Sequence, residues 1–254
     1  MIDVKHLSIS GILDDITFSV APGERVGIIG ESGSGKSVTA LSIMGLSDLP
    51  AAGSITVDGT EMVGTPDRVR RRVRGRKVAM VFQEPMTALD PLKKIGKLVS
   101  RELLCEVGVD RPGAYPHELS GGQRQRVLIA LALSQNPDVL ICDEPTTALD
   151  AIVQAEILEL LDRLVRERGM ALLFISHDLA VVRRMTDRVL VFKGGRMMAP
   201  DSDYAKALAA AAVPGPPAAP TALGDPVVTL DGVSLRRGHT LAVDDVYLTV
   251  RAGE

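Results

Sequence analysis

Alternating apolar and polar residues open the chain and predict two half-buried strands. In residues 3–9 and 12–20 an apolar side chain recurs at about every second position, which is the period of a strand with one buried face. Apolar runs then alternate with stretches of helical period, a pattern typical of a layered α/β fold. The further predicted strands are residues 25–29, 54–57, 78–82, 139–142, 171–175 and 189–192. The predicted helices are residues 37–44, 91–107, 121–134 and 151–167.

Composition narrows the class of protein without indicating a function. The 254 residues are 46% hydrophobic and 24% charged with a net charge of −3, as in ordinary globular proteins, and give no general attraction to nucleic acid. Cys105 and Cys142 have no metal-ligand spacing and are too few for a disulfide framework, so we expect a reducing compartment. No apolar run approaches the ~18 residues of a membrane span, so any membrane association is expected to come through a partner.

The end of the chain repeats its beginning. Residues 242–254 reproduce the pattern of residues 12–24, including the paired aspartates and the final Gly-Glu, and residues 230–235 reproduce residues 4–9. Prolines at 214, 216, 217, 220 and 226 predict a stiff, extended segment between the copies. We therefore predict a first domain at residues 1–208, an Ala/Pro-rich linker at 209–226, and the beginning of a second, truncated domain at 227–254.

A glycine-rich octapeptide predicts a phosphate-binding loop. Gly30-Glu-Ser-Gly-Ser-Gly-Lys-Ser37 lies between a predicted strand and a predicted helix, as this motif requires. Its backbone N–H groups and the helix N-terminus would bind the phosphates, Lys36 would reach the β- and γ-phosphates, and the Ser37 hydroxyl would ligate Mg²⁺. The alternative is a glycine loop that only turns the chain. The predicted nucleotide-binding residues are Gly30, Glu31, Ser32, Gly33, Ser34, Gly35, Lys36 and Ser37.

Two carboxylates at the end of a buried strand supply the acidic partners of such a loop. Asp143 and Glu144 follow four apolar residues, and open α/β sheets bind ligands at the carboxyl ends of their strands. Asp143 would hold Mg²⁺, and Glu144 would orient and polarise the water that attacks the γ-phosphate. The alternative is a polar strand exit before Pro145. Loop and carboxylates together predict a P-loop NTPase.

Further motifs resemble those of ABC-type ATPases. Leu119-Ser-Gly-Gly-Gln-Arg-Gln-Arg126 is similar to the family's signature, which faces the γ-phosphate held by the other subunit. Gln83 resembles the glutamine that approaches Mg²⁺ and the attacking water, Asp150 belongs to a D-loop-like Thr-Ala-Leu-Asp, and His177 resembles the switch histidine. The resemblance implies a mixed central sheet with an antiparallel hairpin at its edge. It also implies catalytic residues Glu144, His177 and Gln83, Mg²⁺ ligands Ser37, Gln83 and Asp143, and nucleotide contacts from Ser120, Gly121, Gly122, Gln123 and Asp150.

The resemblance narrows to ATPase subunits of dipeptide, oligopeptide and nickel importers. It covers residues 1–208 and includes the phosphate loop, Phe82-Gln-Glu-Pro-Met-Thr-Ala-Leu-Asp-Pro91 and Tyr115-Pro-His-Glu-Leu119. It implies ATP and Mg²⁺ as cofactors and a peripheral position on the cytoplasmic face of the cell membrane. The implied partners are a second nucleotide-binding domain in trans, two permease subunits and, indirectly, an extracytoplasmic solute-binding protein, with no nucleic acid.

This chain departs from the family pattern in three places. Residues 8–12 offer no aromatic side chain for stacking on adenine, the stretch from Gln83 to Ser120 is short, which predicts a shortened helical subdomain, and no C-terminal cysteine cluster is present. Two alternatives therefore stay open. One is a soluble ABC ATPase without a transport role, and the other is a truncated nucleotide-binding relic without transport coupling. The basic run at residues 68–77 is interpreted as a solvated face rather than a nucleic-acid site.

Overall fold

The computed structural model describes residues 1–83, 88–211 and 224–253. Residues 84–87, within the motif at 82–91, and residues 212–223, most of the predicted linker, lie outside the described residues, as does Glu254. The chain divides into two compact units, Met1–Val213 and Pro214–Glu254.

The first unit is built around two β-sheets. The first unit contains β1 Ile2–Ile9, β2 Leu13–Val20, β3 Arg25–Gly30, β4 Ala51–Val57, β5 Thr60–Glu61, β6 Val78–Val81, β7 Val139–Asp143, β8 Ala171–Ile175, β9 Arg188–Lys193 and β10 Arg196–Met198. Among the described residues they form two sheets: six strands in the order β10-β9-β3-β8-β7-β6, and four in the order β2-β1-β4-β5. The larger sheet is parallel except for β10, and the smaller one is antiparallel, so the predicted α/β fold with mixed strand directions is confirmed.

Helices cover the larger sheet on both faces. They are α1 Lys36–Ile43, α2 Asp67–Val73, α3 Arg101–Glu106, α4 Gly121–Leu133, α5 Ala151–Arg168, α6 Leu179–Met185 and α7 Asp203–Ala211, with short 3₁₀ turns at Ile95–Lys97 and Pro116–Glu118. Along β7, Leu140 and Cys142 pack into the core beneath α4 and α5, whereas Val139 and Ile141 pack toward α1 and the smaller sheet. This burial of both faces explains why β7 reads as an uninterrupted apolar run.

The predicted helix at residues 91–107 is wrong in its first half. The chain instead forms the 3₁₀ turn Ile95–Lys97 and starts α3 only at Arg101. Ile95 and Gly96 donate their backbone N–H groups to the carbonyls of Ala114 and Pro112, which takes them out of a helical hydrogen-bond ladder. Ser100 then caps α3 by accepting a hydrogen bond from the Leu103 N–H at 3.3 Å.

The second unit is one hairpin, and its strand pairing copies that of β1 and β2. β11 Pro226–Arg237 and β12 Thr240–Arg251 turn at Gly238 and His239. In the copy Leu230 pairs with Leu248 and Val233 with Val246, and in the original Val4 pairs with Phe18 and Leu7 with Ile16. The Asp245 N–H donates to Ser234 at 2.9 Å just as the Asp15 N–H donates to Ser8 at 3.1 Å, and both aspartates have positive φ. The repeated sequence therefore has a repeated local structure.

Candidate nucleotide-binding site

The phosphate loop bridges the end of β3 and the start of α1, as the motif predicts. Two of its glycines leave no room for a side chain. A Cβ on Gly30 would lie 2.2 Å from the Phe192 carbonyl oxygen, and one on Gly35 would lie 2.3 Å from Leu13 Cδ2. Gly35 also has a φ of 97°, which other residues rarely adopt. The loop conformation therefore requires glycine at these positions.

The Lys36 side chain is buried within the phosphate loop. Its Nζ donates hydrogen bonds to the carbonyl oxygens of Gly30 at 2.8 Å and Glu31 at 2.9 Å. Burial lowers the pKa of Lys36, and the nearby carboxylates of Glu144 and Asp143 act in the opposite direction. An ammonium held in this way is positioned to meet anionic oxygens that enter the loop.

Ser37 and Asp143 bring two oxygen atoms together beside the loop. The Ser37 hydroxyl donates to Asp143 Oδ1 at 3.1 Å, and Asp143 is 5% exposed at the end of β7. Burial raises the pKa of Asp143, and the charge of Glu144 raises it further, while the Ser37 hydrogen bond and Lys36 lower it. A carboxylate and a hydroxyl are ligands that suit Mg²⁺, so the two residues fit the predicted ion.

Glu144 and His177 form a pair across neighbouring strand ends. Because Asp143 on β7 is in register with Ile175 on β8, the residues that follow the two strands meet at one edge of the sheet. His177 Nδ1 lies 2.8 Å from Glu144 Oε2, and the Thr147 hydroxyl donates to the same oxygen at 3.1 Å. Glu144 has a φ of 49°, which is uncommon outside glycine and often marks a functional turn.

The phosphate loop and this pair line one pocket of about 400 Å³. Gln83 lies on its wall, so most of the residues predicted to act on one nucleotide are brought together. Two apolar wall residues, Ile12 and Val38, were not predicted. No aromatic residue is among the described wall residues, which agrees with the absence of one from residues 8–12. The wall consists of Ile12, Ser32, Gly33, Ser34, Gly35, Lys36, Ser37, Val38, Gln83, Glu144, Thr147 and His177.

The signature residues and Asp150 of the D-loop lie at two other helix starts and do not line this pocket. Ser120 caps α4 by accepting from the Gln123 N–H at 3.2 Å, and the Gln123 side chain accepts from the Ser120 N–H at 3.1 Å. Asp150 caps α5 by accepting from the N–H groups of Ile152 and Val153. A Cβ on Gly122 would lie 2.5 Å from a Val153 methyl group, so α4 and α5 pack closely there. Gly121 shares this exposed helix start.

Comparison with known proteins identifies the family. Residues 13–147 match the sequence profile of the ABC transporter family. The chain is 42% identical over 309 aligned positions to a peptidoglycan transport ATP-binding protein, YejF, of Agrobacterium fabrum, covering all of this chain and 57% of that protein. The chain belongs to the ABC transporter family. Since the alignment is longer than the chain, the relative contains insertions that are missing here.

Two further comparisons bear on the fold and on the length. An oligopeptide transport ATP-binding protein, OppD, of Mycobacterium tuberculosis is 45% identical over 210 residues, which is 72% of this chain and 34% of that protein. An ATP-binding cassette solved as a dimer in a post-hydrolysis state with ADP and Pi superimposes with a TM-score of 0.70 at 28% identity, over 78% of this chain and 97% of that one. The chain spans about half the length, or less, of the curated relatives described here. None of the helices in the described residues has the length and hydrophobicity to cross a membrane.

Proposed function

We propose that this chain binds ATP with Mg²⁺ and hydrolyses it, and that hydrolysis powers import of peptides or a related small solute through a membrane transporter. The observation that carries the proposal is the convergence of the phosphate loop, Gln83 and the Glu144–His177 pair on one pocket, with Ser37 and Asp143 hydrogen-bonded beside it. The names of the Agrobacterium and Mycobacterium relatives support a peptide-like solute.

Each residue around the pocket has a role set by its position. Lys36 and the loop N–H groups bind the β- and γ-phosphates. Ser37 and Asp143 would hold Mg²⁺, with Gln83 on the pocket wall as a further oxygen donor, and the ion would supply positive charge to neutralise the phosphates. Glu144 orients the attacking water. His177 and Thr147 hold the Glu144 carboxylate in place, as their contacts at 2.8 and 3.1 Å indicate.

The proposed catalytic unit contains two chains. Ser120, Gly121, Gly122, Gln123 and Asp150 do not line the phosphate-loop pocket, so we propose that they act on the nucleotide of a second cassette. Ser120 and Gly121 at the start of α4 are exposed, and a helix N-terminus suits the γ-phosphate of a partner. The dimeric cassette with a TM-score of 0.70 supports this arrangement. We place the assembly on the cytoplasmic face of the cell membrane against two permease subunits, which accept solute from an extracytoplasmic binding protein.

We expect magnesium-dependent ATP hydrolysis by the chain and a several-fold stimulation by its permease subunits with solute-binding protein in vesicles. The reason is that the permeases would hold two cassettes face to face and so favour closure of the dimer on ATP. The measurement is phosphate release with and without permeases. Hydrolysis that the permeases leave unchanged would contradict transport coupling and favour the alternatives, a soluble non-transport ATPase or a relic without coupling.

The domain organisation proposed from the sequence is a cassette at 1–208, a linker at 209–226 and the opening hairpin of a second cassette at 227–254. Matching register and matching Ser–Asp hydrogen bonds in the two hairpins support the last part. In the first unit the apolar face of the hairpin is covered, with Leu7 and Ile16 fully buried. Their counterparts Val233 and Val246 remain accessible. We propose that this face is covered by further cassette sequence in a longer protein. α7, which runs to Ala211, extends beyond the proposed boundary at 208.

Deleting residues 214–254 should leave the first unit folded and able to bind ATP. Both apolar clusters of the described chain draw on the first unit alone, and an isolated hairpin adds little stability. We expect the thermal unfolding midpoint to change by less than about 2 °C, measured by circular dichroism. A second deletion that also removes α7, residues 203–254, is the control and should lower the midpoint, because Ala205 is buried. If the chain that lacks only residues 214–254 failed to fold, the hairpin would be shown to belong to the first unit.

A further inference from the structure

The phosphate loop contains a carboxylate of its own, at Glu31. This residue follows directly on Gly30, the last residue of β3, and its side chain is exposed. Negative charge at the mouth of a loop that binds phosphates opposes their binding unless a neighbouring group offsets it or turns it away. A neighbouring group that binds the Glu31 carboxylate would therefore favour phosphate binding.

Tyr204 on α7 lies near the start of the phosphate loop, where Glu31 stands. Its hydroxyl oxygen is buried and makes no hydrogen bond of ordinary geometry within the described residues. Burial raises the pKa of Tyr204, and the Glu31 carboxylate raises it further, while the Glu31 backbone N–H acts in the opposite direction. A buried hydroxyl without a firm partner gains most from an acceptor nearby.

A strand contact explains why α7 meets the loop. β9 runs beside β3, with Phe192 in register with Gly30, so Lys193 emerges next to the start of the loop. Lys193 Nζ lies 4.3 Å from the centroid of the Tyr204 ring. Lys193 therefore lies close to both the Tyr204 ring and the start of the loop, and its cation–π contact holds the ring in orientation.

We propose that Tyr204 is a positioning residue of the nucleotide site, whose hydroxyl donates a hydrogen bond to the Glu31 carboxylate and turns its charge away from the phosphates. Lys193 supports the ring and offsets part of the same charge. This role depends on the proposed ATP binding and adds to it, because α7 would then influence the affinity of the site for phosphate. Tyr204 itself touches neither phosphate nor water in this scheme.

The test is a double-mutant cycle on nucleotide affinity in the full chain. Tyr204→Phe keeps the ring and removes the hydroxyl, so the free Glu31 carboxylate should weaken ATP binding about fivefold. Glu31→Gln removes the charge and should bind ATP at least as well as the parent. The double variant should match Glu31→Gln, because Tyr204 acts only through that charge. Tyr247→Phe, on the exposed face of the second unit, is the matched control and should change nothing.

Salt and a second variant separate charge from packing. The loss in Tyr204→Phe should shrink at 0.5 M salt, since repulsion at an exposed carboxylate is screened. If Tyr204→Phe does not fold, Lys193→Met replaces it and should weaken ATP binding about threefold, again rescued by Glu31→Gln.

Three outcomes overturn the inference: parent-like affinity in Tyr204→Phe, a double variant as weak as Tyr204→Phe, or a loss that salt does not reduce. A parent chain that binds no nucleotide would instead contradict the proposed function.

Discussion

Glu144→Gln is expected to stop ATP turnover while leaving ATP bound. The carboxylate is 13% exposed, it lines the pocket, and it is held by His177 and Thr147, so it is the group placed to orient and polarise water. Gln keeps the size and one acceptor oxygen but removes the charge that polarises the water. Loss of such a group lowers kcat by about 10²- to 10⁴-fold. ATP affinity should change by less than about threefold, because binding depends on Lys36 and the loop N–H groups.

The measurement pairs steady-state phosphate release with ATP affinity in the same preparation. Glu159→Gln is a matched control, because it removes an exposed carboxylate on α5 that does not line the pocket, and it should hydrolyse ATP like the parent. A Glu144→Gln chain that turns over within about threefold of the parent would remove Glu144 from the mechanism. The turnover rate of His177→Ala should lie between those of Glu144→Gln and the parent, because this change removes one contact of the Glu144 carboxylate but keeps the carboxylate itself.

The sequence predicted this site because its parts are local. The glycine loop, the acidic strand end and the signature are each continuous in the chain, and each is placed by the strand or helix that flanks it. Parallel strands place their carboxyl ends at one edge, so Glu144 and His177 were expected near the phosphate loop once their strands were recognised. Their contact additionally requires β7 and β8 to be neighbours in the register of Asp143 with Ile175, which no local pattern specifies.

Two helices show where local patterns fail. α2 was not predicted because its seven residues bury only Val73, so the segment has charge but no apolar period. In the structure, Asp67 stabilises α2 through ion pairs with Arg71 and Arg74. These pairs agree with the interpretation of the basic run as a solvated face. The helix expected at 91–107 is interrupted because backbone N–H groups of Ile95 and Gly96 bond to a distant loop instead. Long-range hydrogen bonds of this kind override propensity.

Neither the apolar wall of the pocket nor the position of Tyr204 near the phosphate loop could be predicted from the sequence. Ile12 lies in the hairpin where an aromatic residue was sought, and it lines the pocket together with Val38. Since no aromatic side chain is among the described wall residues, we expect nucleotide binding to depend mainly on the phosphate contacts, and Lys36 to be the decisive residue for affinity.

Lys36→Ala is expected to lower ATP affinity by about 30- to 5,000-fold, corresponding to the ~2–5 kcal/mol typical of a buried charge partner. The ammonium is 7% exposed and bonded to the Gly30 and Glu31 carbonyls, so its removal loses the cation for the β- and γ-phosphates and leaves two carbonyls without their donor. Affinity for AMP, which lacks those phosphates, should fall much less.

Ser42→Ala is the control further along α1. The Ser42 hydroxyl donates to the Val38 carbonyl, and the variant should bind ATP like the parent. Titration calorimetry with ATP, ADP and AMP measures these differences, and unfolding without nucleotide shows whether the loop still folds. An equal loss for all three nucleotides in a destabilised chain would indicate collapse of the loop. Unchanged ATP affinity would show that the phosphates do not bind here.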